Sequence, residues 1–362
     1  MEGRLEHDVL VRVLDGRIAE LRAGAGDRAG ARTIDGTLLP GFVDLQVNGM
    51  GGAGFEAEDE DAYRVAARAV KAGGAAAFLP TLITAPLDVL AGRAAKLARW
   101  IAKGSPPDAA TPLGIHLEGP FLELAGAHDA HALVEPTAQR VDRLVDACAG
   151  TLRLVTLAPG LPGAVEAVAR LRKAGVAVAF GHARSTQRFL DCVRAGATVV
   201  THLFNAMSGI HHRDPGIVGL TLDTESLSCC LIPDGVHVQP AVLRVAWRVL
   251  GRARTVLVTD ATGASGMPDG EYTLSGTAVT SRDGVVMNRA GTIAGSALTM
   301  REGVQRFLRW VPGLDAADIA AIAATNPARI AGATEFGSLA AGQRADFVEL
   351  RDDGTLRDVA LA

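Results

Sequence analysis

VAVAFGHARSTQRFLDCVRAGATVVTHLFNAM, residues 176–207, decides the fold. Two short apolar runs, 176–182 and 197–204, flank a segment of helical length. Runs that are apolar almost throughout mark strands buried on both faces. The same alternation extends in both directions, with further runs at 42–48, 76–83, 113–118, 151–158, 227–234 and 254–260. Eight buried strands separated by helices argue an α/β fold, a closed parallel (β/α)8 barrel of the TIM type.

The intervening segments carry helix punctuation. Residues 59–72 put Ala62, Val65, Ala66, Ala69 and Val70 on one face and stop at Gly73. Pro86, Pro162 and Pro240 stand in the first turns of other helices, and Gly104, Gly175 and Gly251 follow helix ends. The chain ends differ. Segments 8–35 and 338–362 read as short strands around Asp15-Gly16 and Asp353-Gly354. The expectation is a small β-sandwich-like module built from 1–39 and 338–362, beside a barrel of 40–337, with one more hairpin inserted at 271–288.

Composition narrows the class. Of 362 residues, 48% are hydrophobic, enough for a large core and against disorder. Lys and Arg total 36 against 40 Asp and Glu, with no basic block, so nucleic acid and anionic membranes have no electrostatic footing. The opening MEGRLEHDVLVRVLDGR lacks an apolar signal core, and no apolar run is long enough to span a bilayer. Cys148, Cys192, Cys229 and Cys230 form no C-x-x-C pair and read as reduced core thiols of a cytoplasmic protein.

Barrel enzymes carry their chemistry at the C-terminal ends of the strands. Glu118, His182, His202 and Asp260 fall at such ends, each after an apolar run. A lone histidine there is more often a structural group, but four suitable residues at four strand ends are harder to dismiss. Two imidazoles and a carboxylate make a frequent catalytic zinc set with a position left for water. An ion so held brings water's pKa down to about 7. Asp260 would then move the proton, as base and later as acid. His116 shares a strand face with Glu118 and reads as a supporting group rather than a ligand.

The residues around these positions carry more than spacing. They run PGFVDLQVNGMGG at 40–52, GIHLEGPFL at 114–122, GAH at 126–128, GHARST at 181–186, THLFNAM at 201–207, RDPG at 213–216, DGVH at 234–237, VTDAT at 258–262 and AGSALTM at 294–300, with NPARIAG at 326–332 and GSLAAGQRADFVEL at 337–350. Taken in order they closely resemble the N-acetylglucosamine-6-phosphate deacetylase family of the amidohydrolase superfamily. The resemblance implies hydrolysis of N-acetyl-D-glucosamine 6-phosphate to acetate and D-glucosamine 6-phosphate. It implies Glu118, His182 and His202 as metal ligands, Asp260 as acid/base and His237 on the acetamido group. It further implies substrate contacts from His128, Asn205, Ala206 and Arg213, the last reaching the phosphate of the neighbouring subunit in a homodimer. Ile293, Ala294, Gly295 and Ser296 match a loop closing over the ligand.

Two departures bear on chemistry. Many amidohydrolases end the first strand in H-x-H and hold a second metal, whereas here the positions are Gln46 and Asn48. Neutral amides ligate zinc or iron poorly, so one divalent ion per subunit is expected, Zn2+ or otherwise Fe2+, Co2+ or Mn2+. The family's longer HNP-containing run is replaced by AGAHDAHA at 125–132. That leaves an alternative substrate open, such as N-acetylgalactosamine 6-phosphate or another N-acyl amine. A non-catalytic binding protein on the same fold is disfavoured by the intact Glu118, His182, His202 and Asp260 set.

Overall fold

Eight parallel strands form the centre of the molecule in the computed structural model, which describes residues 5–24 and 30–358. They are β1 (Phe42–Val47), β2 (Ala75–Ile83), β3 (Ile115–Glu118), β4 (Leu152–Leu157), β5 (Ala177–Phe180), β6 (Val199–Val200), β7 (Ser228–Leu231) and β8 (Thr255–Leu257). Each pairs with its sequence neighbour. The ring closes just past the strands, where Val47 bridges Ala261 and Asn48 N donates to Ala261 O at 2.8 Å. The (β/α)8 expectation is met. The runs read at 176–182, 197–204 and 254–260 end early as strands, because His182, His202 and Asp260 turn into left-handed backbone with φ of 49°, 29° and 51°.

Side-chain alternation builds two apolar layers. Val43, Leu45, Ala77, Leu79, Leu154, Ala179, Val256 and Val258 belong to one buried cluster. Phe78, Leu82, Val155, Phe180 and Val200 belong to a larger one that takes in the helices. The helix Glu60–Ala72 is capped by the Asp59 side chain and stops at Gly73 as expected. Its buried stripe is Tyr63, Ala66, Ala67 and Val70, while Val65 is exposed. The i, i+3, i+4, i+7 row that begins at Tyr63 won because that residue brings an aromatic ring to Phe55 and Trp100. Pro240 opens the helix Pro240–Arg254, but Gly251, with φ 59°, breaks that helix from within. Pro162 lies just ahead of Ala164–Lys173 rather than inside its first turn. All four cysteines are buried and free.

At the chain ends, Val9–Leu14 and Arg17–Ala23 form a hairpin about Asp15 and Gly16, whose φ values are 49° and 71°. Thr37–Pro40 pairs antiparallel with Phe347–Leu350, which pairs with Leu356–Asp358. Ile18, Ala345 and Phe347 pack the hairpin onto that sheet. Residues 1–4, 25–29 and 359–362 of these segments lie outside the described residues. The insert after β8 is larger than one hairpin. Gly270–Leu274, Thr277–Arg282, Val285–Asn288 and Ile293–Ser296 make a four-stranded antiparallel sheet. It packs on Ile83, Ala264 and Ala127 at the C-terminal mouth of the barrel. Among the described residues no helix is long and apolar enough to cross a membrane.

Candidate active site

The end of β3 places Glu118, 2% exposed, at the centre of the mouth. Its Oε1 lies 2.7 Å from His202 Nε2 and 3.3 Å from His182 Nε2. Its Oε2 accepts Gln46 Nε2 at 3.0 Å and stands 3.7 Å from His128 Nε2. Burial works to raise the Glu118 pKa, but the surrounding imidazoles, His202 first, hold it well below the ordinary carboxylate range. Burial likewise opposes charge on His202, and there the Glu118 carboxylate wins and raises the ring's pKa.

Backbone fixes the histidines. His182 Nδ1 donates to Leu124 O at 2.7 Å, and His182 O accepts from Glu123 N and Leu124 N. The 119–128 loop therefore aims His182 Nε2 at Glu118. His128 on the same loop bonds Thr84 Oγ1 through Nδ1 at 2.9 Å and packs its ring 4.5 Å from that of His182. Ligand atoms of Glu118, His128 and His182 all lie within 4.8 Å of one another. Two donors at about 2.1 Å from a tetrahedral ion stand roughly 3.4 Å apart, so the 3.3 Å between His182 Nε2 and Glu118 Oε1 suits a shared cation, whereas the 2.7 Å from His202 Nε2 to the same oxygen is a direct hydrogen bond. His202 Nδ1 is buried without a hydrogen-bond partner among the described residues.

Asp260 follows β8. Gln46 Nε2 and Asn48 Nδ2 both donate to its Oδ1, at 3.0 and 2.8 Å, and no described residue donates to Oδ2. Gln46 thus ties Asp260 to Glu118 with one neutral amide. The amides reach the mouth because the β1–β2 ladder shifts register between Asp44 and Val47. Burial and then the Glu118 charge push the Asp260 pKa up to about 6, against the pull of His202, His237 and the Asn48 bond. That places a carboxylate near the range in which proton transfer at neutral pH is efficient.

The remaining expected site residues divide. His237 lies near enough to Asp260 to lower that group's pKa, 8% exposed at its side chain, with Nδ1 held by Asp234 at 2.6 Å. Asn205 turns its amide onto His202 O and Leu203 O, bracing the turn that carries His202. Ala206 accepts Ala183 N through its carbonyl and links the fifth and sixth βα-loops. Ile293–Ser296, expected as a loop, is a strand. Ser296 N donates to Asp260 O at 2.8 Å and Ser296 Oγ to Thr259 O at 2.6 Å, so it buttresses Asp260. Gly295 permits the approach, since a Cβ there would stand 2.8 Å from Asp260 O at a φ of 63°. Arg213 is exposed, bonded to His212 Nε2 at 2.9 Å, and makes no bond to the cluster within its own chain. His116 is buried between Leu45 O and Thr156 Oγ1, and burial lowers its pKa to about 4.

Residues 37–358 match the amidohydrolase family. The chain belongs to that family. The amidohydrolase is 38% identical over 353 residues to N-acetylglucosamine-6-phosphate deacetylase of Homo sapiens, covering 93% of this chain and 83% of that one. It is 36% identical over 319 residues to N-acetylgalactosamine-6-phosphate deacetylase of Escherichia coli O157:H7, covering 86% and 83%. The crystal structure of N-acetyl-D-glucosamine-6-phosphate deacetylase from Mycobacterium smegmatis superposes with a TM-score of 0.91 at 34% identity, covering 99% of this amidohydrolase and 96% of that chain. Two parts of the amidohydrolase's site went unread in the sequence. One is Asp234, whose signal was the D-x-x-H spacing. The other is the Gln46 amide, which had been read only as a missing ligand.

Proposed function

We propose that the chain hydrolyses N-acetyl-D-glucosamine 6-phosphate to acetate and D-glucosamine 6-phosphate with one divalent ion per subunit. The observation that carries this reading is Asp260, a buried carboxylate that Gln46 holds against the Glu118 and histidine cluster.

Glu118, His182 and His202 would hold the ion, with His128 in reach, and Zn2+ suits the two imidazoles and one carboxylate. Bound there, a divalent cation supplies Lewis acidity that makes water a competent nucleophile near neutral pH. Gln46 and Asn48 occupy the places where a second ion would need charged or imidazole donors. Asp260 accepts the proton as the water's C–O bond forms and delivers it to the amine nitrogen as the C–N bond breaks. His237 meets the acyl group and steadies the negative charge that develops on its oxygen. Arg213 serves the phosphate across a dimer interface, consistent with its exposure and with its having no carboxylate partner among the described residues.

A second reading, N-acetyl-D-galactosamine 6-phosphate, is favoured by the similarity to the Escherichia coli O157:H7 relative. Acetate release from both N-acetylhexosamine 6-phosphates and from their unphosphorylated forms tests the proposal. Preference for the gluco epimer supports the first reading, and preference for the galacto epimer the second. Equal turnover without phosphate would sink both.

A further inference from the structure

His237 does not stand alone. Asp234, three residues earlier, is 3% exposed at its side chain and sends Oδ2 to His237 Nδ1 at 2.6 Å. Its other oxygen, Oδ1, accepts the backbone N–H groups of Val236 and His237, each at 2.8 Å. The backbone of this turn is pinned from outside. Arg306 Nη1 donates to Asp234 O at 2.9 Å, and the Trp310 ring lies so close to Gly235 that a Cβ there would stand 2.8 Å from it. Both anchors come from the helix Met300–Trp310.

Burial opposes charge on Asp234, yet the His237 ring and the two amides hold its pKa below the ordinary carboxylate range. An ionised carboxylate only accepts hydrogen bonds, so the hydrogen between the two groups belongs to His237 Nδ1. The ring's other nitrogen, Nε2, has no hydrogen-bond partner among the described residues, and the ring is near enough to Asp260 for its charge to lower that group's pKa.

We propose that Asp234 is a positioning residue that fixes the tautomer of His237, keeping the proton on Nδ1 and presenting Nε2 to the substrate. In the neutral ring Nε2 is then a bare acceptor. It gains a proton only as imidazolium. With a proton taken from solvent at Nε2 before the reaction begins, His237 donates that N–H as a hydrogen bond to the acyl oxygen as negative charge develops there, and keeps the proton throughout. A ring with the opposite tautomer can donate there but has no lone pair with which to accept.

One substitution inverts this arrangement without emptying the turn. In Asp234→Asn, the atom facing the Val236 and His237 N–H groups must remain the carbonyl oxygen, because an amine there would set donor against donor. The new NH2 consequently faces His237 Nδ1 and donates to it. The ring must shed its Nδ1 proton and carry one on Nε2.

The test uses zinc-loaded full-length protein labelled with 15N-histidine, with His237→Gln assigning the signal. Two-bond 1H–15N correlations should show Nδ1 protonated in the wild type and Nε2 alone protonated in Asp234→Asn. A wild-type ring protonated on Nε2 alone, or a variant that keeps its Nδ1 proton, overturns the proposal. The catalytic half rests on the deacetylase reading. There Asp234→Asn should lower kcat about 10²-fold, with KM changed by less than about threefold and zinc content unchanged. An inverted tautomer with near-normal kcat overturns that half. A wild type inactive on every N-acetylhexosamine 6-phosphate would instead defeat the deacetylase reading, and the tautomer result would stand by itself.

Discussion

Replacing Asp44 by asparagine should change how the stability of the barrel depends on pH. Asp44 lies in β1, 1% exposed. Its Oδ1 accepts the N–H groups of Gln46 and Thr259, both at 3.2 Å, and its Oδ2 accepts Thr259 Oγ1 at 2.6 Å. Burial outweighs these bonds and, with the nearby Asp260 charge, pushes its pKa from an ordinary 3.8 to about 7. The unfolded chain therefore releases this proton near pH 4, and the folded chain only near pH 7. Between those values the unfolded state binds fewer protons, so stability falls as pH rises, and above about 7 the loss is complete. Each pKa unit is worth about 1.4 kcal/mol, and a rise of about three units makes the full loss on the order of 4 kcal/mol, of which about 3 falls between pH 5 and 8. Asparagine keeps the carbonyl acceptor for the two N–H groups, and the Thr259 hydroxyl can rotate to accept from the amide. Urea unfolding of both proteins at pH 5, 6, 7 and 8, at fixed ion concentration, should show the asparagine variant gaining about 3 kcal/mol on the wild type across the series. A difference that stays constant with pH would refute the reasoning, because Asp44 would then ionise alike in both states.

Asp260→Asn should retain the ion and lose at least ~10²-fold in kcat, measured on metal-replete protein. Elemental analysis should find one divalent ion per chain, lost in Glu118→Ala, and two ions both needed for activity would contradict the Gln46 and Asn48 reading. Arg213→Ala should weaken kcat/KM by about 2 kcal/mol or more in free-energy terms while leaving ion content unchanged. Hybrid dimers of Arg213→Ala with Asp260→Asn should regain activity that neither parent shows, and verified hybrids as poor as both parents would place Arg213 outside the partner's site.

The barrel was legible because strands buried on both faces read as apolar runs, from VAVAF at 176–180 to RTVLV at 254–258. Strand ends were less legible. His182, His202 and Asp260 leave their ladders in left-handed backbone, a conformation that these residue types do not announce. The insert was underestimated because its last strand, Ile293–Ser296, is tied to Asp260 and Thr259, contacts more than thirty residues distant in sequence. Glu118, the two histidines and Asp260 stood out as chemistry placed after apolar runs. The link that Gln46 makes between Glu118 and Asp260 spans 72 and 214 residues, and only the closed ring brings those groups together. The alternative stripe on Glu60–Ala72 was decided by what lay opposite, the rings of Phe55 and Trp100, which helical periodicity alone does not reveal.

If the proposed ion binds at this site, the left-handed turns at His182, His202 and Asp260 would tie the survival of the folded protein to the supply of metal. Non-glycine residues in such conformations cost on the order of 1–3 kcal/mol each, so an empty site leaves the barrel bearing that cost alone. An ion that binds only the folded arrangement returns stability by mass action, about 4 kcal/mol when its free concentration is a thousandfold above Kd. In a cell short of metal, unloaded chains would open more often and meet proteases sooner. Abundance of the protein would then follow metal availability, and its degradation half-life would report the ion's free concentration.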